Sequence, residues 1–279
     1  MPSSSSNKAQ RPIPALLRRL TLAAGLGAAA HAQAATGPVP EPAALAQDVP
    51  VVAVVNVPAP WYAADALISK RMKATTAEYQ AAPGLLWKYY TLADNAPDLS
   101  PLVPTDVARM PARADTERTF GGIYLWRDAR AAGNWFGPAW FERVRKSRGV
   151  EGRVRLFEAP VVLDNTPTRT DPASLGGRYA VATLLTVPMP AGLSRETLTA
   201  AFRASIPTYR AVEGLQRKYF IITADGRMGS IYLWRSLTDA QAHFTPAALA
   251  AARTRYGAAP VLEWFEVPLV VAGQTGSTQ

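Results

Sequence analysis

The sequence predicts an α+β protein in which one β-α-β-β-α-β unit occurs twice in tandem. Three observations lead there. The stretch Ile123-Tyr124-Leu125-Trp126-Arg127 recurs letter for letter as Ile231-Tyr232-Leu233-Trp234-Arg235. Segments flanking it match at fixed displacements, which marks a repeated folding unit. Strand-like and helix-like stretches then follow in the same order in both copies.

Upstream of the shared stretch the displacement is 130 positions: Gly84-Leu85-Leu86-Trp87-Lys88-Tyr89-Tyr90 matches Gly214-Leu215-Gln216-Arg217-Lys218-Tyr219-Phe220. Val57-Pro58-Ala59-Pro60 likewise matches Val187-Pro188-Met189-Pro190. From the shared stretch onward the displacement is 108, taking Phe157-Glu158-Ala159-Pro160 to Phe265-Glu266-Val267-Pro268. The first copy therefore carries about 22 extra residues, an insertion at about 93–118 that is rich in proline and reads as an elaborated loop.

The elements follow in order. Val51 to Val57 is a continuous β-branched run, as expected of a strand covered on both faces. Residues 63–81 have helix-forming composition, Pro83-Gly84 breaks them, and Leu85 to Leu92 is a second strand. The shared stretch is the third strand. Asp128 is the N-cap of a helical stretch to about Arg148, interrupted at Gly137-Pro138 and closed by Gly149. Arg153 to Leu163 is the fourth strand. The second copy repeats this with strands at 179–187, 215–223, 228–234 and 261–271 and helices at 194–210 and 238–256. Asp225-Gly226 makes its central hairpin tight.

Right-handed crossovers order each sheet 4-1-3-2, the ferredoxin-like arrangement. Pro160 and Pro268 lie inside the fourth strand, which places that strand at an edge. Each sheet has helices on one face only, so two copies packed sheet to sheet cover each other's bare faces. The expectation is an intramolecular dimeric α+β barrel, a monomeric pseudo-dimer with repeats at 51–164 and 179–272. A linker falls at 165–178, a flexible lead-in at 36–50 and a flexible tail at 273–279.

Residues 1–35 stand apart. Lys8, Arg11, Arg18 and Arg19 precede a short apolar run that ends in A-x-A sequences, the pattern of a cleaved secretory signal. The expected location is periplasmic or secreted, with no stable membrane span after cleavage. Beyond that segment 26 Lys and Arg face 21 Asp and Glu, a net of +5 that is interspersed and gives no case for nucleic acid. With no cysteine, disulfides and thiolate catalysis are excluded. The chain has two histidines, His31 and His243, and His31 lies within the signal. A multi-histidine metal site in one chain is therefore excluded.

The combination of Gly214 to Phe220, Gly229 to Trp234, Arg253-Thr254-Arg255-Tyr256-Gly257-Ala258-Ala259-Pro260 and Phe265 to Pro268 resembles the YdhR-type monooxygenase family of the dimeric α+β barrel superfamily. The first copy departs from that pattern by its insertion and by Arg148 to Gly152, where the Tyr-Gly turn would fall. The resemblance implies a barrel fold and a monooxygenase-like activity. Members of that superfamily include cofactor-independent quinone-forming oxygenases, haem-degrading enzymes and isomerases.

Candidate site residues come from the repeated positions. Tyr124 and Trp126, and Tyr232 and Trp234, are two apart on a strand and share a face. With Trp135, Phe136 and Tyr219 they are candidates to line an aromatic-walled site between sheet and helices, or they are ordinary core. Lys88 and Lys218 are candidate bases; at an edge strand they equally serve to discourage strand pairing. His243 is a candidate catalytic residue or haem ligand, or a ring that fills space. Arg127 and Arg235, with Glu158 and Glu266, are candidates for pairing between the halves. No cofactor is predicted, haem being the one kept open. Gly121-Gly122 leads into a strand and so gives no nucleotide-binding turn. The function expected is an exported monooxygenase-like protein acting on, or binding, a small aromatic or hydrophobic compound. The alternative is a periplasmic ligand- or haem-binding module without catalysis.

Overall fold

The computed structural model describes residues 45–46, 48–59, 65–93, 118–166 and 180–273. The predicted signal, most of the lead-in, the body of the insertion, most of the linker and the tail beyond residue 273 lie outside the described residues. The first half contains β1 (Val51–Pro58), α1 (Asp65–Ala74), α2 (Thr76–Gln80), β2 (Leu85–Ala93) and β3 (Thr119–Trp126), followed by α3 (Ala129–Trp135), α4 (Pro138–Arg148) and β4 (Arg153–Asp164). The second contains β5 (Ala180–Pro188), α5 (Arg195–Arg210), β6 (Leu215–Ile222), β7 (Arg227–Trp234), α6 (Leu237–His243), α7 (Pro246–Tyr256) and β8 (Val261–Ala272).

Helix starts follow local chemistry. The Asp128 carboxylate accepts from the Ala131 amide at 2.7 Å, and Ser194, Ser236 and Thr245 each cap the helix that follows. Pro138 and Pro246 stand in the first turn of α4 and α7, where a missing N–H costs nothing. Among the described residues no helix is long and apolar enough to cross a membrane.

The eight strands form one closed barrel in the order β1-β3-β2-β8-β5-β7-β6-β4, all neighbours antiparallel. Each half keeps the order 4-1-3-2, and the ring closes where β2 pairs with β8 and β4 with β6. The prediction of an edge position for the fourth strand, and for the second, is therefore corrected. Both are interior members of the ring. The prolines survive because the seam ladders break beside them, between Glu158 and Val161 in one seam and opposite Glu266 to Leu269 in the other.

Alternation along the strands makes two kinds of core. Val52, Val54, Ile123, Leu125, Leu184, Ile221, Ile231 and Leu233 point into the barrel and fill it from both halves. Val51, Ala53, Val55, Tyr124 and Trp126 point outward under the first half's helices. Tyr232 and Trp234 do the same in the second, packed against Phe244 at the end of α6. Burial of β1 on both faces accounts for its unbroken β-branched run.

Candidate functional site

The site is built by a β-bulge that occurs at the same place in each half. Leu85 pairs with Trp126 and Trp87 with Leu125, so Leu86 is an extra residue. Leu215 pairs with Trp234 and Arg217 with Leu233, so Gln216 is the other. One extra residue reverses the alternation of everything after it. Lys88 and Lys218 are thereby turned outward beneath the helices, while Tyr89 and Tyr219 are turned into the barrel. Gly84 and Gly214 precede the bulges with positive φ, and their carbonyls accept from the Arg127 and Arg235 amides at 2.8 Å.

Neither lysine reaches water. Lys88 is 2% exposed and Lys218 1%. This corrects the reading of them as edge-strand charges, because the edge on which it rested is closed by the other half. Lys88 Nζ lies 3.1 Å from the centre of the Tyr79 ring, 3.8 Å from that of Tyr90 and 4.7 Å from that of Tyr124. Lys218 Nζ lies 3.1 Å from the Tyr209 ring, 4.2 Å from Tyr232 and 4.4 Å from Phe220, and is 3.0 Å from the Tyr232 hydroxyl. Among the described residues neither forms an ion pair. Burial pushes both amines far below the usual lysine range, opposed at Lys88 by the Glu78 charge. Burial likewise pushes the hydroxyls of Tyr124 and Tyr232 well up, so they stay protonated.

Further rings complete each cage. In the first half Trp126 stacks on Tyr124, and Trp135 lies 5.3 Å from Tyr79 and 5.7 Å from Trp126. Phe136 meets Tyr124 edge to face. In the second half Trp234 stacks on Tyr232, Phe244 takes the place of Phe136, and His243 takes that of Trp135. The imidazole of His243 packs among Tyr209, Tyr232, Trp234 and Phe244 at 4.8 to 6.3 Å between centroids.

Of the residues singled out in the sequence, Lys88, Tyr124, Trp126, Trp135 and Phe136 thus come together in one layer. Lys218, Tyr232, Trp234 and His243 come together in the other. Tyr219 does not join them. It lies inside the barrel, its hydroxyl 2.8 Å from that of Tyr89. The proposed arginine–glutamate pairing is also corrected. Arg127 pairs with its neighbour Asp128, and Arg235 with Glu213 and Asp239. Buried Glu158 instead holds Arg195 of the second half and the Ala46 amide, and Arg118 is the charge acting on Glu266. Tyr79 and Tyr209, the rings set against the two amines, were missed as a pair. Their signal is Y-x-A-x-x-G-L-x-x-K, shared by Tyr79 to Lys88 and Tyr209 to Lys218.

His243 carries a pH consequence. Burial, and secondarily the nearby Lys218, pushes its imidazole down to about 4 from 6.5. The unfolded chain binds the extra proton between those values, so this contribution to stability is complete above about pH 6.5 and disappears as pH falls to 4. About 3 kcal/mol is at stake. His243→Phe is expected to flatten that part of the acid limb, seen as a smaller gap between its denaturation midpoints at pH 7 and pH 4.

No family model and no curated protein matches the chain. Among solved structures it is similar to a candidate monooxygenase from Fusobacterium nucleatum at 12% identity, over 80% of this chain and 94% of that one, with a TM-score of 0.52. A candidate monooxygenase from Lactobacillus acidophilus matches at 12% identity over 80% and 96%, with a TM-score of 0.49. What is shared is a fold, here a closed antiparallel barrel of two four-stranded halves with helices outside.

Proposed function

We propose that the chain is an exported, monooxygenase-like protein of YdhR type that takes a small aromatic or hydrophobic compound between sheet and helices. It does so without a nucleotide cofactor. The observation that carries this reading is a lysine amine enclosed by aromatic rings, its pKa pushed well down by burial, built twice. A neutral amine is a base, and surrounding rings accept a flat ligand and stabilise the ammonium once it forms. The bound compound enters by displacing Tyr79 or Tyr209 from the amine. Proton removal from an acidic methylene beside an aryl group leaves a carbanion that reacts with dioxygen. The net change is CH2 plus O2 to C=O plus water, with the proton returned to the departing water. Orientation and desolvation are the protein's contribution.

The test is oxygen consumption by purified, chelator-treated protein with a panel of phenols bearing an activated methylene. One mole of dioxygen used per mole of ketone formed is expected. The absence of both uptake and saturable binding across the panel would remove this reading. The near-complete burial of both amines favours one second reading, capture of a hydrophobic ligand without turnover. Saturable binding with no oxygen consumed would select it. A haem titration that gives a Soret shift in the parent chain and none in His243→Ala would select its haem form.

A further inference from the structure

Three pairs of matching positions meet across the barrel. Tyr89 and Tyr219 are 130 positions apart and join hydroxyl to hydroxyl. Arg155 and Glu263 are 108 apart, and each pairs with the matching residue of its own half, Val54 and Leu184. Trp87 and Arg217 follow the same bulge in the two halves. In the strand order β4 stands opposite β8, and β2 opposite β6. Matching residues that touch across such a ring lie on the axis relating its halves.

On that axis a residue faces its own counterpart. Tyrosines tolerate this, because a hydroxyl both donates and accepts. The other two pairs are unlike. Arg155 donates to Glu263 through both terminal guanidinium nitrogens, Nη1 and Nη2, at 2.7 and 2.8 Å, with the side chains only 28% and 13% exposed. The Arg217 guanidinium lies 3.7 Å from the Trp87 ring centre while donating to the Asp164 carboxylate and the Tyr89 hydroxyl. Two first halves joined in the same way would oppose Arg155 to Arg155. Two second halves would oppose Glu263 to Glu263 and Arg217 to Arg217. Like charges in a half-buried axial position are strongly unfavourable.

We infer that the inward barrel surface of each half is specific for the other half of this chain and rejects a second copy of itself. The unlike axial pairs are the recognition elements. This inference is independent of any ligand.

Charge exchange in the full chain tests it. Arg155→Glu and Glu263→Arg are each expected to raise the unfolding equilibrium constant at least about tenfold. The double exchange, Arg155→Glu with Glu263→Arg, is expected to recover most of that loss. A double variant no better than the singles, or singles without effect, overturns the inference. A second measurement serves if the singles fail to fold. A protease site is placed within residues 167–179 of the parent chain, the folded protein is cut, and isotopically light and heavy preparations are mixed. Native mass spectrometry should find only complexes containing one first half and one second half, whatever their label. Comparable amounts of like–like complexes, or halves that separate without forming any complex, overturn it.

Discussion

Lys218→Met, and Lys88→Met in the other half, are expected to reduce turnover about 10²- to 10⁴-fold while leaving the chain as stable as before or more so. The two signs are the point. Methionine has similar length, fills the same space and has no charge to desolvate. A buried amine without an ionic partner costs the fold energy at every pH below the ordinary lysine range, because the unfolded chain holds a proton that burial disfavours, and methionine removes that cost. The Tyr232 hydroxyl, which loses Lys218 as a partner, keeps its bond with the Tyr209 hydroxyl. A lysine that merely holds the core together would give the reverse, a lower denaturation midpoint with activity falling in proportion. Measuring kcat and midpoint on the same preparations separates the cases, and the two single variants show how turnover divides between the halves.

Gly121→Ala and Gly229→Ala are expected to destabilise the fold by about 3 kcal/mol or more. A Cβ on Gly121 would lie 1.9 Å from the Val55 carbonyl oxygen, and one on Gly229 would lie 2.0 Å from that of Leu185. These oxygens belong to the central strands β1 and β5, which cannot retreat without dragging the ladders on their other side. Gly257→Ala is the control. It has positive φ but open space around it, so it should cost only about 1 kcal/mol. Equal midpoints for all three in chemical denaturation would contradict the argument.

Much of the fold was legible because it is written in local chemistry. The duplicated Ile-Tyr-Leu-Trp-Arg stretch became β3 and β7, and Asp128 and Gly149 bound the helical stretch between them, as their residue types dictate. What could not be read is what depends on closure. Lys88 looks like an edge charge to any argument that stops at one sheet, because nothing near it in sequence announces that β8 will pair alongside. Arg127 looked available to Glu158, yet Asp128 is its immediate neighbour and wins on proximity. The site was half legible. Tyr124, Trp126 and Lys88 stand in the repeated segments. That they converge depends on the bulge at Leu86, whose register shift has no signature beyond the spacing of Gly84 to Lys88.

Each aromatic cage draws all its named members from one half, whereas the axial pairs draw from both. Substitutions around Lys88 therefore leave the geometry around Lys218 intact, so one cage is free to change while the other stays as it is. Change on the axis has no such freedom: an altered residue 155 must find its answer at 263, and the two should drift together or not at all.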